Sequence, residues 1–287
     1  MAAAAVPLPT ITISVATNRL DLLFKRAIHS INRQKVPADE VIVVIDGLSW
    51  RLQNEKVIKD LPQDWKLIWT ENENSGPAMP RNTGMYHATS DWILILDGDD
   101  FLVPSCVESY LKILPHIRAD MVTEFPVHAL IHQSGFVSKN MPPDRNRWND
   151  IVRVGTKSLI SANWKRGELP VRPILIRNEN KKYYPIDYYF MEDKVLIFHY
   201  MLEERRIVLS DYCGCVRNIH PKSFTNTLLS WGMLSKDEAR FKKVSNNINI
   251  NNWTLRDKVF EIWKSHLYLT DEDRSYIEDS IKYFSVL

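Results

Sequence analysis

Four short apolar runs limit what this chain can become: Ile11 to Ala16, Val41 to Ile45, Leu67 to Thr70 and Trp92 to Leu96. Each is rich in β-branched or bulky apolar residues, has the length of a buried strand, and is far too short to cross a membrane. Between the first two, Leu20, Leu23, Phe24, Ala27, Ile28 and Ile31 recur with helical spacing, which predicts a helix with one apolar face. A short helix over Arg51 to Asp60 and another ending near Thr89 separate the later runs. Strands that alternate with helices predict an α/β fold built on a mostly parallel sheet flanked by helices.

The ends of these strands carry the chemistry. The fourth run closes on Asp97-Gly98-Asp99-Asp100, three carboxylates that repel one another unless a positive group sits among them. Hard oxygen ligands of this kind suit Mg²⁺ or Mn²⁺, which take one or two carboxylates and complete their shell with substrate phosphates. The competing reading is a polar turn, since Asp and Gly are common turn residues. In open parallel sheets, ligands bind at the carboxyl ends of the strands, and Asn18, Asp46 and the acid cluster all fall there. Arg81 lies near the start of the helix that precedes the fourth strand, with prolines in its first turn. That position suits an anionic phosphate; the alternative is a surface Arg paired with Glu71 or Glu73.

Bulk properties exclude several classes. With 287 residues the chain can bury a substantial core, and a formal net charge of +2 gives no electrostatic footprint for nucleic acid. Three cysteines, Cys106, Cys213 and Cys215, make neither a disulfide framework nor a zinc site, so reduced thiols in a cytoplasmic protein are expected. Residues 1–9 are Ala-rich without a basic region and read as a loose leader. No apolar run of about 18 residues predicts a transmembrane segment, which leaves peripheral membrane contact open.

Past the acid cluster, Pro104 to Pro115 predicts a helix and Met121 to Phe125 a strand. Periodicity then fades from His128 to Trp164, where a loop-rich insertion with some hairpin is expected, and where Trp148 and Trp164 are candidates to stack on a sugar. Val171 to Arg177 predicts a strand and Asp187 to Met201 a helix with Glu192-Asp193 near its start. Acids there stabilise the helix dipole whatever else they do. After a short strand at Ile207 to Leu209, Val216 to Thr225 reads as irregular and carries Arg217, His220 and Ser223. From about Asn226 onward helices are expected: Leu228 to Lys243, an amphipathic Trp253 to His266, and a last helix opened by a Thr270 cap and an acidic first turn.

The order of these features resembles glycosyltransferase family 2, whose members use nucleotide-sugar donors on the GT-A fold. Ala16-Thr17-Asn18-Arg19 is similar to the turn that ends the family's first strand, with Thr17 in place of its Tyr. Ile45-Asp46-Gly47-Leu48 keeps the base-binding Asp of the second and loses the acid before it. Ser75-Gly76 and Pro80-Arg81-Asn82 resemble the turn and helix that follow, and Leu96 to Asp100 matches Leu-Asp-x-Asp-Asp at each defined position. Glu192-Asp193 looks like the acceptor-side acid pair, and Arg217 to Ser223 like the basic-x-x-His-x-x-Ser segment.

The resemblance implies a GT-A, Rossmann-like domain over residues 10–225, with a donor half at 10–125 and an acceptor half at 126–225, followed by a C-terminal helical extension at 226–287. It implies a metal-dependent inverting transfer from a nucleoside-diphosphate sugar to a hydroxyl of a glycan or other acceptor. Ala16, Thr17, Asn18, Arg19, Asp46, Gly76, Arg81, Asp97 and Asp99 would bind the donor. Asp99, Asp100 and His220 would serve the metal, Mn²⁺ or Mg²⁺, with either of the two acids as ligand. Asp193 would be the general base and Glu192 its neighbour in the catalytic pair. Two alternatives stand beside it: a non-catalytic nucleotide-sugar-binding or scaffold protein on the same fold, and a sugar nucleotidyltransferase, against which the lack of a Gly-rich loop after the first strand argues.

Overall fold

The computed structural model describes residues 7–47, 58–71, 76–124, 127–131, 137–140, 172–188, 192–203, 205–210, 212, 214–219, 260–263 and 270–285. Its main layer is an eight-stranded sheet in the order β12-β10-β6-β9-β4-β1-β2-β3. The four opening runs are β1 (Ile11–Thr17), β2 (Glu40–Asp46), β3 (Lys66–Thr70) and β4 (Trp92–Asp97), with β1 central and parallel to both β2 and β4. Beyond them stand β6 (Met121–Glu124), β9 (Arg172–Arg177), β10 (Ile207–Ser210) and β12 (Phe260–Trp263). Only β9 runs against its neighbours, β4 and β6, among these described pairs.

Side chains alternate between two cores, as expected for strands covered on both faces. Ile11, Ile13, Val15, Val43, Leu94 and Leu96 share one core with α1 (Leu22–Asn32) and α3 (Cys106–Ile113). Ile42, Val44, Ile93 and Ile95 share the other with α2 (Ala78–His87) and α4 (Glu192–Leu202). The predicted apolar face of the first helix, Leu20, Leu23, Phe24, Ala27, Ile28 and Ile31, is buried throughout, whereas Leu22 is exposed. That helix starts at an Asp21 cap whose carboxylate accepts from the N–H groups of Leu23 and Phe24 at 3.0 and 3.3 Å.

Helix α2 packs on the sheet at Gly84, where there is no room for a side chain. A Cβ there would stand 2.0 Å from Ser14 Oγ and 3.4 Å from Val44 Cγ2. The absent side chain lets the helix sit on β1 and β2 and so sets the height of Arg81 above the strand ends.

A second, four-stranded sheet in the order β5-β11-β7-β8 joins β5 (Phe101–Leu102), β11 (Cys215–Ile219), β7 (Val127–Ile131) and β8 (Val137–Asn140). The antiparallel β7–β8 pair is the hairpin expected at the start of the insertion; Trp148 and Trp164 lie outside the described residues. Three expectations are corrected. Of Val216 to Thr225, read as irregular, residues 216–219 belong to β11, because Val216 and its neighbours pair with β5 and β7, which are remote in sequence. Residues 260–263, read as part of an amphipathic helix, form β12 in parallel register with β10: pairing along an existing strand edge overrides a short helical pattern. Of the helix expected from Asp187, Glu192–Leu202 is helical, while Asp187 itself lies in a turn and Tyr188 outside the helix. The last helix, α5 (Asp271–Ser285), forms as predicted behind Thr270. No helix among the described residues is long and apolar enough to cross a membrane.

Candidate active site

The parallel register places the chemical residues in a row along one edge of the sheet. Asp97 lies beside Ala16, Thr17 beside Ile45, and Asp46 beside Thr70. Three of the sequence-predicted turns thus meet at the carboxyl ends of β4, β1 and β2. The β1 turn is organised by Thr17, whose hydroxyl donates to the Arg19 carbonyl at 2.7 Å and lies 3.1 Å from the Arg19 N–H. Arg19 is ion-paired with Asp21, its Nε donating at 2.7 Å, and Asn18 at the tip is exposed. Asp46 is buried and accepts from the Thr70 hydroxyl at 2.7 Å.

The acid turn folds directly against the β1 turn. The Gly98 N–H donates to the Ala16 carbonyl at 2.8 Å, and the Asp100 N–H closes the turn on the Asp97 carbonyl at 2.9 Å. A Cβ on Gly98 would lie 2.4 Å from both Cβ and Oγ1 of Thr17, so the close approach of the two turns requires glycine. The three acids then differ in setting. Asp100 is buried and accepts from the Asn218 N–H at 2.9 Å. Asp99 is half-buried, and the Asn218 side-chain amide donates to its carbonyl oxygen. Asp97 receives both Nε and Nη2 of Arg81, at 2.9 and 2.8 Å.

Arg81 has a second acid partner: its Nη1 donates to Glu192 at 2.5 Å. Burial works against its charge, but Asp97 and Glu192 outweigh that penalty and hold its pKa well above the ordinary value. Arg81 is thus held by Asp97 and Glu192 rather than standing as a surface arginine; Glu73 lies outside the described residues. Burial pushes Glu192 up to about 7, opposed by Arg81 and assisted by Asp193. Asp193, half-buried in the first turn of α4, accepts from the Lys194 N–H at 2.8 Å. The unsatisfied N–H groups of a helix start favour a carboxylate in this place. Gly76 is buried just ahead of α2 with a left-handed φ of 82°. His220 lies outside the described residues.

Four participants escape a reading by sequence spacing, Arg26, Thr70, Tyr184 and Asn218, and Asn82 of the Pro80-Arg81-Asn82 motif joins them. The Arg26 carbon Cζ lies 3.4 Å from the centroid of the Phe101 ring, and Nη1 reaches the Asn218 side-chain oxygen at 3.4 Å. Burial pushes that guanidinium down to about 9, partly countered by Tyr276 and Asp100, so it stays charged at neutral pH. Asn82 donates to the Tyr184 carbonyl and accepts from the Tyr184 N–H, both at 2.8 Å. The Tyr184 ring centroid lies 5.2 Å from the Arg81 Cζ. No local signal marks Arg26, Thr70, Tyr184 or Asn218; Asn218 sits 118 positions from its partner Asp100, and the pairing of β11 with β5 brings them together.

Residues 12–149 match Glycosyl transferase family 2. An uncharacterised glycosyltransferase of Methanocaldococcus jannaschii is 29% identical over 158 residues, 54% of each chain. Glycosyltransferase GlyA of Streptococcus pneumoniae is 27% identical over 111 residues, 39% of this chain and 16% of that protein. The chain spans about half the length, or less, of these curated relatives. Among solved structures, S. aureus TarS 1-349 in complex with UDP-GlcNAc has the same fold, with a TM-score of 0.53 at 19% identity over 76% of this chain and 61% of that one. Over residues 12–149, this chain is similar to glycosyl transferase family 2.

Proposed function

We propose that this chain is an inverting glycosyltransferase, dependent on Mn²⁺ or Mg²⁺, that moves a sugar from a nucleoside diphosphate to a hydroxyl of a glycan or other acceptor. The observation that carries the reading is the double ion pair of Arg81, which brings the acid turn of β4 and the acid pair of α4 within reach of one guanidinium. Donor-side and acceptor-side acids must stand this close for a direct displacement between two substrates.

On the donor side, Asp46 would accept from the nucleotide base, oriented by Thr70, while the turns at Ala16 to Arg19 and at Gly76 and the carboxylates of Asp97 and Asp99 line the nucleotide. Among the described residues no closed cluster of three or more His, Cys, Asp and Glu forms a cage for a metal. The donor set fits a cation held by one or two carboxylates and completed by substrate phosphates. Asp99 is the better ligand of the two adjacent acids, since Asp100 is buried with one oxygen on the Asn218 N–H. When bound, the cation would offset the negative charge gathering on the departing diphosphate.

On the acceptor side, Asp193 would take the proton of the attacking hydroxyl as the new bond forms opposite the leaving group. An ionised carboxylate within hydrogen-bond reach serves that role, and a single displacement inverts the anomeric centre. The test is a thermal-shift screen of UDP-, GDP- and dTDP-sugars with Mn²⁺, UDP-sugars first, because a bound donor stabilises the folded state. Asp193→Asn is expected to keep the donor-induced shift and lose transfer, and Asp99→Ala to lose the Mn²⁺-dependent part of the shift. Transfer at the wild-type rate by Asp193→Asn would overturn the base assignment.

A further inference from the structure

We propose that Arg81 is a positioning residue: it joins the two halves of the site, fixes the acceptor-side acid pair relative to the acid turn, and acts on the donor through Asp97. This deepens the reading above and rests on it. The geometry of the guanidinium is the starting point. Its planar fork presents one bidentate edge to Asp97 and a separate N–H to Glu192, so both principal directions are committed to carboxylates from different parts of the fold. Asp97 ends a central strand of the main sheet, and Glu192 begins a helix on its face.

The rest of α2 reinforces the joint. The side-chain amide of Asn82, the next residue, exchanges two hydrogen bonds with the Tyr184 backbone, and the Tyr184 ring lies near Arg81. One turn of helix therefore holds the end of β4, the segment before α4, and the first residue of α4. Gly84 keeps that turn pressed onto β1 and β2, so the joint has little freedom to slide.

Charge leads to the same assignment. Two carboxylates against one guanidinium leave the trio with a surplus of negative charge when all are ionised. A diphosphate brought directly to Arg81 would have to displace a carboxylate from a part-buried pair, at the cost of leaving that acid unpaired. Holding Asp97 and Glu192 in place asks for no such exchange. Asp193, adjacent to Glu192 in the first turn of α4, inherits its position from this contact.

Two variants test the assignment. Lysine keeps the charge but as a single point, which cannot span two carboxylates as the fork does. With a UDP-sugar and Mn²⁺, Arg81→Lys is expected to lower kcat for transfer at least tenfold while donor Kd, from titration calorimetry, stays within about threefold. Glu192→Gln combined with Arg81→Lys is expected to cost no more than about twofold beyond Arg81→Lys alone, because the two residues act as a unit. A tenfold loss of donor affinity with kcat unchanged would make Arg81 a direct donor ligand and overturn the proposal, as would effects that multiply.

A second measurement needs no turnover. Urea unfolding of Arg81→Met, Glu192→Gln and the double variant is expected to show coupling between the two positions, and strict additivity would refute the joint. If the wild-type chain neither binds nor transfers a nucleotide sugar, the proposed function fails while this coupling still reports on the ion pair.

Discussion

Asp273 offers the sharpest test of how the C-terminal helix is attached. It is fully buried at the third position of α5, and one carboxylate accepts from the Ser105 N–H at 3.1 Å, the Ser105 hydroxyl at 2.6 Å, the Thr270 N–H at 2.9 Å and the Thr270 hydroxyl at 2.8 Å. The Asp273 N–H returns a bond to the Thr270 hydroxyl at 3.1 Å. This is a capping box with Asp at the position usual for Glu, whose carboxylate also secures the start of α3. Asp273→Ala removes the cap contribution, about 1 kcal/mol. It also leaves the buried Ser105 N–H without this acceptor, a further cost of about 1–3 kcal/mol. The Ser105 hydroxyl retains Tyr212 at 3.0 Å, so nothing is added for it. The sum is about 2–4 kcal/mol, or a fall in Tm of roughly 5–15 °C for a chain of this size. Asp271→Ala, at an exposed position of the same turn, is the control and is expected to change stability by less than about 0.5 kcal/mol. Thermal and urea unfolding read both. Equal, small effects for the two variants would refute the claim that α5 is fastened through this carboxylate.

Two further outcomes follow from the site. Thr70→Val preserves shape but removes the hydroxyl that orients Asp46; donor Kd by calorimetry is expected to weaken roughly threefold to tenfold, or about 1 kcal/mol, with kcat nearly unchanged, and an unaltered Kd would remove Thr70 from base recognition. Glu192 carries the pH dependence. Burial raises it from 4.5 to about 7 despite Arg81, with Asp193 adding to the rise, and Tyr184 and Asp97 are the other ionisable groups of this cluster. The folded chain then keeps a proton that the unfolded chain releases, so this contribution to stability is complete below about pH 4.5 and is lost as pH rises through 7. Glu192→Gln is expected to flatten that part of the decline in the urea midpoint, and identical pH profiles would show that Glu192 does not titrate there.

The parts legible in the sequence are those where one face or one turn carries the information. Strands β2 and β4 are almost wholly apolar because both faces are covered, β1 interleaves its apolar residues with the small buried Thr12 and Ser14, and each ends where the run meets a polar turn. Asp46, the acid cluster and Glu192-Asp193 are local patterns, and they stand where the strands and helix α4 bring them. Legibility ends where position depends on distant pairing. Val216 to Ile219 is too short to announce a strand and becomes one because Phe101–Leu102 and Val127–Ile131 supply its partners. Phe260–Trp263 is likewise recruited to the edge of β10. Arg26 on α1 is half-buried over Phe101; no neighbour in sequence tells of that ring or of Asn218.

The contact between Asn218 and the acid turn bears on the order in which the molecule can be assembled. Asp97 to Asp100 leave the ribosome more than a hundred residues before Asn218, and Ser105 precedes Asp273 by 168 positions. Strands β1 to β4 can pair early, but the turn that closes β4 receives its final hydrogen bonds only after β11 exists, and helix α5 is fastened later still. Contacts of such separation slow folding, because chain closure must precede the stabilisation it brings. A nascent chain halted within residues 12–149 would therefore contain the family's sequence signature but not the finished geometry of its acids; that geometry belongs to the late stage of synthesis.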